Sequence, residues 1–417
     1  MTRRDLFKSS AAAAALFGIP ASAAPMDKTP ALPDQGLFSS NPEAYWRRIR
    51  DDQFLLPGWR AFLNNGSLGI APRPVLDAVT SYLERSAALD LVEYPRWGYE
   101  PLDEYRTEMA EYLGCAKDEL AFMHNATEAM GTIAAGLDLK AGDEVLTTDQ
   151  EHPSGRSGWL VRQARHGITV REVKIPMPPR DPGQLADLLV SSIGPQTRVL
   201  IFSGITTATG LIFPMREICE AARAKGVITV VDGAHVNGQI PVRISDIGCD
   251  LYVGSPHKWM FAPAGCGLLC LRGDMVDRLW PTVVTAGWDD KKLKAARYMQ
   301  VGTNNRAIFE GMMAGLRFAK AIGPERIYAR THELARMVRA KAADHPYIEL
   351  LTPDDDRMYG ALVTLSFKNG NPEALWKLTQ KRRIWTIEGA RVRISTHIHT
   401  RPEDIDLFFG LMHEALG

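Results

Sequence analysis

Four short polar segments each follow a short, largely apolar run, and each carries side chains able to do chemistry. Gly254-Ser255-Pro256-His257-Lys258-Trp259 follows Leu251-Tyr252-Val253. An enclosed lysine has a lowered pKa and attacks carbonyls as a free amine, whereas a lysine in water, the default, stays charged. Val230-Val231-Asp232-Gly233-Ala234-His235 ends an apolar run on an acid. A carboxylate there needs a cation or full hydrogen bonding, and a ligand's cationic nitrogen or a structural arginine meets that need equally well. Asp149-Gln150-Glu151-His152-Pro153-Ser154 offers an imidazole, which either stacks on a flat ligand or occupies a surface turn. His124-Asn125-Ala126-Thr127-Glu128-Ala129 lies between a strand-like and a helix-like run. A helix start can hold a phosphate on its free N–H groups, but Asn or Thr there also serves as a plain cap.

The elements that must position these segments are legible in outline. Leu120–Met123, Glu144–Thr147, Val199–Phe202, Val227–Val231 and Leu251–Val253 read as strands, and Pro214–Lys225 has helical spacing with proline at its start. Continuous apolar strands separated by helices indicate an α/β fold with a mainly parallel sheet covered on both faces. Such sheets bind ligands beyond the carboxyl ends of their strands, which is where the four polar segments fall. Toward the C-terminus the pattern changes: Leu362–Phe367 and Val392–Ser395 read as strands and Pro402–Leu416 as a last helix, as in a smaller α+β domain. The expected division is a leader over 1–24, an N-terminal segment over 25–60 packing on the smaller domain, a large domain over 61–287 and the small C-terminal domain over 288–417.

The 417 residues suffice for two or three domains, at roughly 100–200 residues each. Lys plus Arg and Asp plus Glu are both 49, giving zero formal net charge. With no basic stripe to attract a polyanion, nucleic acid is an unfavoured partner and a small-molecule substrate the better expectation. The five cysteines, Cys115, Cys219, Cys249, Cys266 and Cys270, have neither disulfide-framework nor zinc-site spacing, and one bridge stays open. At the N-terminus, Thr2-Arg3-Arg4-Asp5-Leu6-Phe7-Lys8 precedes a short apolar run, Ala11 to Ile19, and the small residues Ala21-Ser22-Ala23. This reads as an export signal of the twin-arginine (Tat) type, too short to span a bilayer. The expectation is a periplasmic protein with no membrane segment after signal cleavage.

Taken together, Asp232-Gly233-Ala234-His235 and Ser255-Pro256-His257-Lys258-Trp259 resemble the cofactor signature of the class V aminotransferase family of fold-type I pyridoxal 5′-phosphate (PLP) enzymes. The wording Asn64-Asn65-Gly66-Ser67-Leu68-Gly69, Glu151-His152-Pro153-Ser154 and Thr206 to Pro214 is similar to the isopenicillin N epimerase-like branch. The likeness runs from Leu63 to Arg393. It implies the fold-type I architecture, with a seven-stranded, mainly parallel sheet flanked by helices. It also implies that Lys258 holds the cofactor as a Schiff base, that Asp232 pairs with the pyridine nitrogen, and that His152 stacks on the ring. Ala126, Thr127, Ser255 and His257 would hold the phosphate, with Thr207 and His235 near the phenolic oxygen. Arg393, together with Asn65, would bind an amino-acid-like substrate. Gly302-Thr303-Asn304 resembles the segment through which a neighbouring subunit reaches the phosphate, implying a homodimer with Thr303 at the cofactor.

Two departures narrow the reading. The family's common Asn before Thr-Gly is replaced by Thr207 ahead of Ala208-Thr209-Gly210. Ile384 to Ala390 contains no cysteine where cysteine desulfurases of this class carry a reactive one, which argues against desulfuration. The expected activity is epimerisation or transamination at the α-carbon of an amino acid or peptide-like metabolite, with elimination of a β-substituent a further branch. Alternatives are an exported tailoring enzyme for a secondary metabolite such as a siderophore, and a catalytically inactive PLP-binding protein. Trp97, Tyr99 and Trp288 are candidates for the side-chain pocket.

Overall fold

The computed structural model describes residues 30–88, 102–343, 345–368 and 372–416. The leader read over 1–24, and Trp97 and Tyr99, lie outside the described residues. In chain order the strands are β1 (Ala61–Phe62), β2 (Leu120–Met123), β3 (Glu144–Thr148), β4 (Thr169–Val173), β5 (Thr197–Ser203) and β6 (Ile228–Asp232). They continue with β7 (Leu251–Gly254), β8 (Gly267–Leu271), β9 (Ile348–Leu350), β10 (Leu362–Phe367), β11 (Ile384–Trp385) and β12 (Arg391–Ser395).

Seven strands form one sheet in the order β2-β8-β7-β6-β5-β3-β4. β7, β6, β5, β3 and β4 pair in parallel, while β8 runs antiparallel to both of its neighbours. Two reversals restore the direction, so β2 ends at the same edge as β3, β5, β6 and β7. Val230, Val231, Leu251, Tyr252, Val253, Leu268 and Leu269 are all fully buried, because helices cover both faces and leave no side of these strands to water. This is the fold-type I α/β architecture, a mainly parallel sheet among helices. β4 and β8 were not read from the sequence. Thr169–Val173 lies at the sheet edge with Val173 its single buried residue, and Gly267–Leu271 opens on a glycine and carries no β-branched residue.

A second sheet, β12-β10-β9, is antiparallel. Leu334 and Val338 from helix Pro324–Ala343 and Phe408 and Met412 from helix Pro402–Leu416 pack on its Val363, Leu365, Val392 and Ile394. β1 and β11 form a separate parallel pair, Ala61↔Ile384 and Phe62↔Trp385. Helix Pro42–Gln53 starts on an Asn41 side chain that accepts from the Ala44 amide, a cap worth about 1 kcal/mol. Its buried face, Tyr45, Trp46 and Ile49, packs with Phe54 against Phe318, Ile322 and Ile398. Arg50 on that face donates to the carbonyls of His399 and Arg60, so this helix straps the chain before β1 to the segment after β12.

All five cysteines are free thiols, with the Sγ atoms of Cys115 and Cys270 3.9 Å apart. No helix among the described residues is long and apolar enough to cross a membrane.

Candidate active site

The carboxyl ends of β2, β3, β5, β6 and β7 surround a cavity of about 360 Å³, which β12 closes from the opposite side. Ala126, Thr127, His152, Thr207, Asp232, His235, Ser255, His257, Lys258 and Arg393 all line it. The four polar segments, separated by up to 130 residues of sequence, are therefore one site.

Lys258 sits in the single-turn helix Pro256–Trp259, immediately after β7. Its carbonyl accepts from Asn65 Nδ2 at 2.8 Å, and the Gly69 amide donates to the neighbouring His257 carbonyl at 2.9 Å. Gly69 must be glycine for this approach, since a Cβ there would lie 2.2 Å from the Lys258 carbonyl oxygen. The backbone of the lysine is thus clamped from the segment that follows β1. The residue is partly exposed toward the cavity, yet its amine is enclosed enough that burial pushes its pKa down to about 8. Asp232 opposes that shift and Arg393 adds to it.

Asp232 ends β6. One oxygen, Oδ1, accepts from the Ala234 amide at 2.9 Å. Oδ2 has no donor among the described residues, although the residue is buried. The turn that follows is held tight by Gly233, where a Cβ would overlap the Tyr252 ring at 2.0 Å. His235, on that turn, is fully buried and carries three contacts. Nδ1 accepts from the Trp259 indole N–H at 3.2 Å, while Nε2 lies 2.9 Å from Thr207 Oγ1 and 3.0 Å from Lys258 Nζ. Burial, with Lys258 and Arg393 nearby, holds its pKa well below the usual histidine range, so the ring is neutral.

His152 precedes helix Pro153–His166, and its Nδ1 accepts from the Ser154 amide at 3.2 Å. Burial and the Lys258 charge lower its pKa, leaving a neutral, flat ring at the cavity. Helix Ala126–Gly136 begins on the cavity wall, with Asn125 Oδ1 accepting from the Glu128 amide. The capping reading and the anion-site reading of this segment are therefore compatible: the cap takes the third amide, and Ala126 and Thr127 line the cavity ahead of it. His257 donates Nδ1–H to the Cys266 carbonyl at 3.2 Å. Burial lowers its pKa, so Nε2 donates to an anion only after gaining a proton, which a bound phosphate would favour.

Arg393 projects from β12 and is 5% exposed. Its Nη2 donates to Ser67 Oγ at 2.7 Å and Asn64 Oδ1 at 3.1 Å, and its Nη1 to the Thr207 carbonyl at 3.2 Å. Every one of these acceptors is neutral, and Nε is buried without a partner among the described residues. Burial lowers its pKa only to about 10, so the guanidinium is charged at neutral pH. A buried charge with no counter-ion is costly; here it faces a cavity able to supply an anion.

Three expectations need correction or qualification. Asn65 does not reach the cavity: its amide is committed to the Lys258 carbonyl, and its Oδ1 lies 3.4 Å from His399 Nε2. It supports the lysine rather than touching a substrate, because its side chain points under the 256–259 turn. Thr303 is exposed and outside the cavity of its own chain. Trp288 stacks on Trp280 at 6.2 Å instead of lining the cavity.

Sequence reasoning also missed one acid and one hydroxyl that matter. Glu151, next to His152, is fully buried and accepts from Thr148 Oγ1 at 2.6 Å, Ser203 Oγ at 2.6 Å and the Ser203 amide at 3.1 Å. Burial and the neighbouring Asp232 push its pKa up to about 7 despite those donors. Ser67, which holds Arg393, was the other. Both lie inside quoted motifs, but nothing in their spacing separates them from ordinary turn residues.

The residues fit PLP. They offer an enclosed free amine for its aldehyde and, on buried Asp232, a cavity-lining carboxylate whose Oδ2 has no donor among the described residues, for its ring nitrogen. A neutral aromatic face and a helix start with adjacent hydroxyl and imidazole groups suit its ring and phosphate.

Comparison with known proteins agrees with this fit. Residues 61–408 match the family model described as Aminotransferase class-V. The chain is 33% identical over 384 residues to isopenicillin N epimerase of Streptomyces clavuligerus, covering 87% of this chain and 96% of the relative. It is 27% identical over 390 residues to a probable cysteine desulfurase of Methanothermobacter thermautotrophicus, covering 85% and 94%. Among solved structures, the cystine C-S lyase C-DES, in a form with glycine covalently linked to its PLP cofactor, superposes with a TM-score of 0.76 at 25% identity, covering 84% of this chain and 95% of that one. Cysteine desulfurases recur among the relatives, so the missing loop cysteine does not by itself set desulfuration aside.

Proposed function

On the premise that the chain belongs to the class V aminotransferase family, whose cofactor is PLP, we propose that it epimerises or transaminates an amino acid or peptide-like metabolite at the α-carbon. The observation that carries the reading is convergence. One cavity receives the free amine of Lys258, Oδ2 of Asp232 and the cation of Arg393, the last two without a donor or an ion-pair partner among the described residues.

When bound, the cofactor supplies a carbonyl for amines and a ring that accepts the electron pair left at the α-carbon. The chain's own residues supply the rest. Lys258, with its pKa near 8, is matched to accepting and returning a proton near neutral pH. Asp232 Oδ2 holds a proton on the ring nitrogen. His152 presents its neutral face to the ring, and Arg393 takes the substrate carboxylate in its planar fork. Returning the proton to the α-carbon from the other side gives epimerisation; delivering it elsewhere gives transamination. Isopenicillin N epimerase among the relatives favours the first. The identity and coverage also support a working enzyme over a binding protein that has lost activity.

A second reading, carbon–sulfur cleavage, is favoured by the cysteine desulfurases and the C-S lyase among the similar proteins. None of the five cysteines lines the cavity, which argues against a persulfide carried by this chain, but not against a lyase. We also propose a homodimer in which Thr303 reaches the partner's phosphate site, and export on the strength of Thr2 to Lys8. An exported tailoring step on a secondary metabolite such as a siderophore would suit that location.

The test is a panel of L- and D-amino acids and short peptides in deuterated buffer. α-Deuteration with inversion and unchanged cofactor supports epimerisation; conversion of the cofactor to its amine form supports transamination. Release of sulfide from cysteine, or of cysteine persulfide from cystine, together with pyruvate and ammonia and with no inverted or transaminated product, would replace both with the lyase reading. A purified protein with no visible cofactor band would overturn all three. Replacing Arg3 and Arg4 by lysine should abolish export of the full chain, as followed by cell fractionation.

A further inference from the structure

Trp259 follows the cofactor lysine, yet its indole faces neither cofactor nor substrate space. It is 1% exposed and donates its single N–H to His235 Nδ1 at 3.2 Å. An indole nitrogen is a donor only, so Nδ1 of His235 must be the bare nitrogen. The buried ring is neutral, and a neutral imidazole with a bare Nδ1 carries its proton on Nε2. Nε2 is the atom 3.0 Å from Lys258 Nζ and 2.9 Å from Thr207 Oγ1.

This arrangement bears on the lysine. A charged ammonium has three N–H groups and no lone pair, so at Nε2–H it would meet another donor. Only the free amine can accept there. Thr207 does not decide the matter, since a hydroxyl can donate or accept. We propose that Trp259 is a positioning residue that locks His235 as the Nε2–H tautomer and thereby holds Lys258 as the free amine. The inference deepens the proposed function and rests on it in one respect: that Lys258 is the reactive amine.

Trp259 is itself fixed from the other side of the cavity. His397, in the segment after β12, stacks on it at 5.8 Å with planes 20° apart. The Ile398 amide donates to His397 Nδ1 at 2.8 Å, so His397 Nε2 carries its proton and donates to the Trp259 carbonyl at 3.2 Å. The indole cannot turn away without breaking this joint. The other charged or titratable groups around the pair are Asp232, which favours the ammonium, and Arg393, His152 and His257, which disfavour added positive charge. The tautomer lock acts in the same direction as Arg393 and against Asp232.

The decisive measurement is a long-range proton–nitrogen NMR correlation on the full-length protein carrying ¹⁵N-histidine, with His235 assigned by its loss in His235→Asn. Nε2 protonated and Nδ1 bare from pH 6 to 9 is the expected result. An Nδ1–H or doubly protonated ring would overturn the proposal without any variant having to fold. In Trp259→Phe, an Nδ1–H population should appear. Uptake of added PLP by the cofactor-stripped protein, followed by its visible band, should shift its pH midpoint upward by about one unit and slow by up to about tenfold near pH 7. A folded Trp259→Phe protein, judged by circular dichroism, with native tautomer and native pH profile would also overturn it. Failure of native protein to take up PLP at Lys258 would instead sink the functional reading and leave the tautomer result standing.

Discussion

Asp232, His235 and Lys258 reach the cavity from the ends of adjacent strands β6 and β7, and each is tied to the others or to nearby backbone. Arg393 reaches it from β12, in a different sheet, and among the described residues is held by neutral hydroxyl, amide and carbonyl oxygens. The first wall is complete in itself apart from one carboxylate oxygen. The second carries a charge with no ion-pair partner among the described residues, open to an anionic ligand. The contrast separates two tasks: the wall on the seven-stranded sheet sets the protonation of the reacting groups, and the wall on the three-stranded sheet recognises an anion. It also explains why family membership fixes the cofactor more firmly than the substrate. The cofactor wall uses backbone geometry common to the fold, whereas among the described residues the second wall brings only Arg393 and Ile387 to the cavity.

Substitutions on the two walls should therefore fail differently. Lys258→Ala removes the reacting amine, and turnover should fall by at least about 10³-fold with loss of the visible cofactor band. Folding should survive, since a partly enclosed amine is replaced by a smaller apolar group. Arg393→Lys keeps the charge but loses the fork. With about 1.5–3 kcal/mol at stake in hydrogen bonds to a charged group, kcat/KM for carboxylate substrates should drop about 10–100-fold, mainly through KM, with the band unchanged. If Arg393→Lys removed the band, or Lys258→Ala changed only KM, the division between the walls would collapse.

The joint between the walls should show in the pH dependence of stability. Burial pushes the His397 pKa down to about 4 and lowers that of neighbouring His399 in the same sense. An unfolded chain takes up the His397 proton below about pH 6.5, and the folded chain does so only near 4, with His399 depressed in the same direction. The stabilisation is thus present above pH 6.5 and lost as pH falls toward 4, by about 3 kcal/mol for His397 alone. Urea midpoints measured from pH 7 to 4.5 should fall accordingly, and His397→Asn should flatten the slope. An equal slope in that variant would place the acid sensitivity elsewhere.

The same contrast governs what could be read from sequence. β2, β10 and the last helix were legible to the residue, and β3, β5, β6, β7 and β12 to within two, because a continuous apolar run ending in a polar cluster has one sensible place in a parallel sheet. That made the first wall legible with them. Its lysine, acid and histidines sit directly after strands, so linear order nearly is spatial order. The second wall depends on which residues a distant strand happens to face. Arg393 was found through family resemblance, but its partners Asn64 and Ser67 lie more than 300 positions away. Glu151 was invisible for another reason. Its character comes from burial against Ser203 and Thr148, and no local pattern distinguishes such an acid from a solvated one in a turn.

Asn65 tests the comparison at its finest grain, because sequence reading put it with the substrate while the structure places it beneath the lysine. Its Nδ2 donates to the Lys258 carbonyl at 2.8 Å in a setting where the residue is 1% exposed. Asn65→Ala leaves that carbonyl without its side-chain donor and opens a small space, which should cost about 1–3 kcal/mol of stability. The Gly69 amide still holds the adjacent His257 carbonyl, so the 256–259 turn should keep its course and the effect on turnover should be small. If Asn65 supports the first wall, the variant loses thermal midpoint and binds PLP somewhat more weakly, while KM for carboxylate substrates stays within about twofold, well under the factor of ten that 1.4 kcal/mol of lost binding would give. A KM increase like that of Arg393→Lys, with an unaltered midpoint, would move Asn65 to the second wall. That would require its amide to leave the lysine carbonyl when substrate enters.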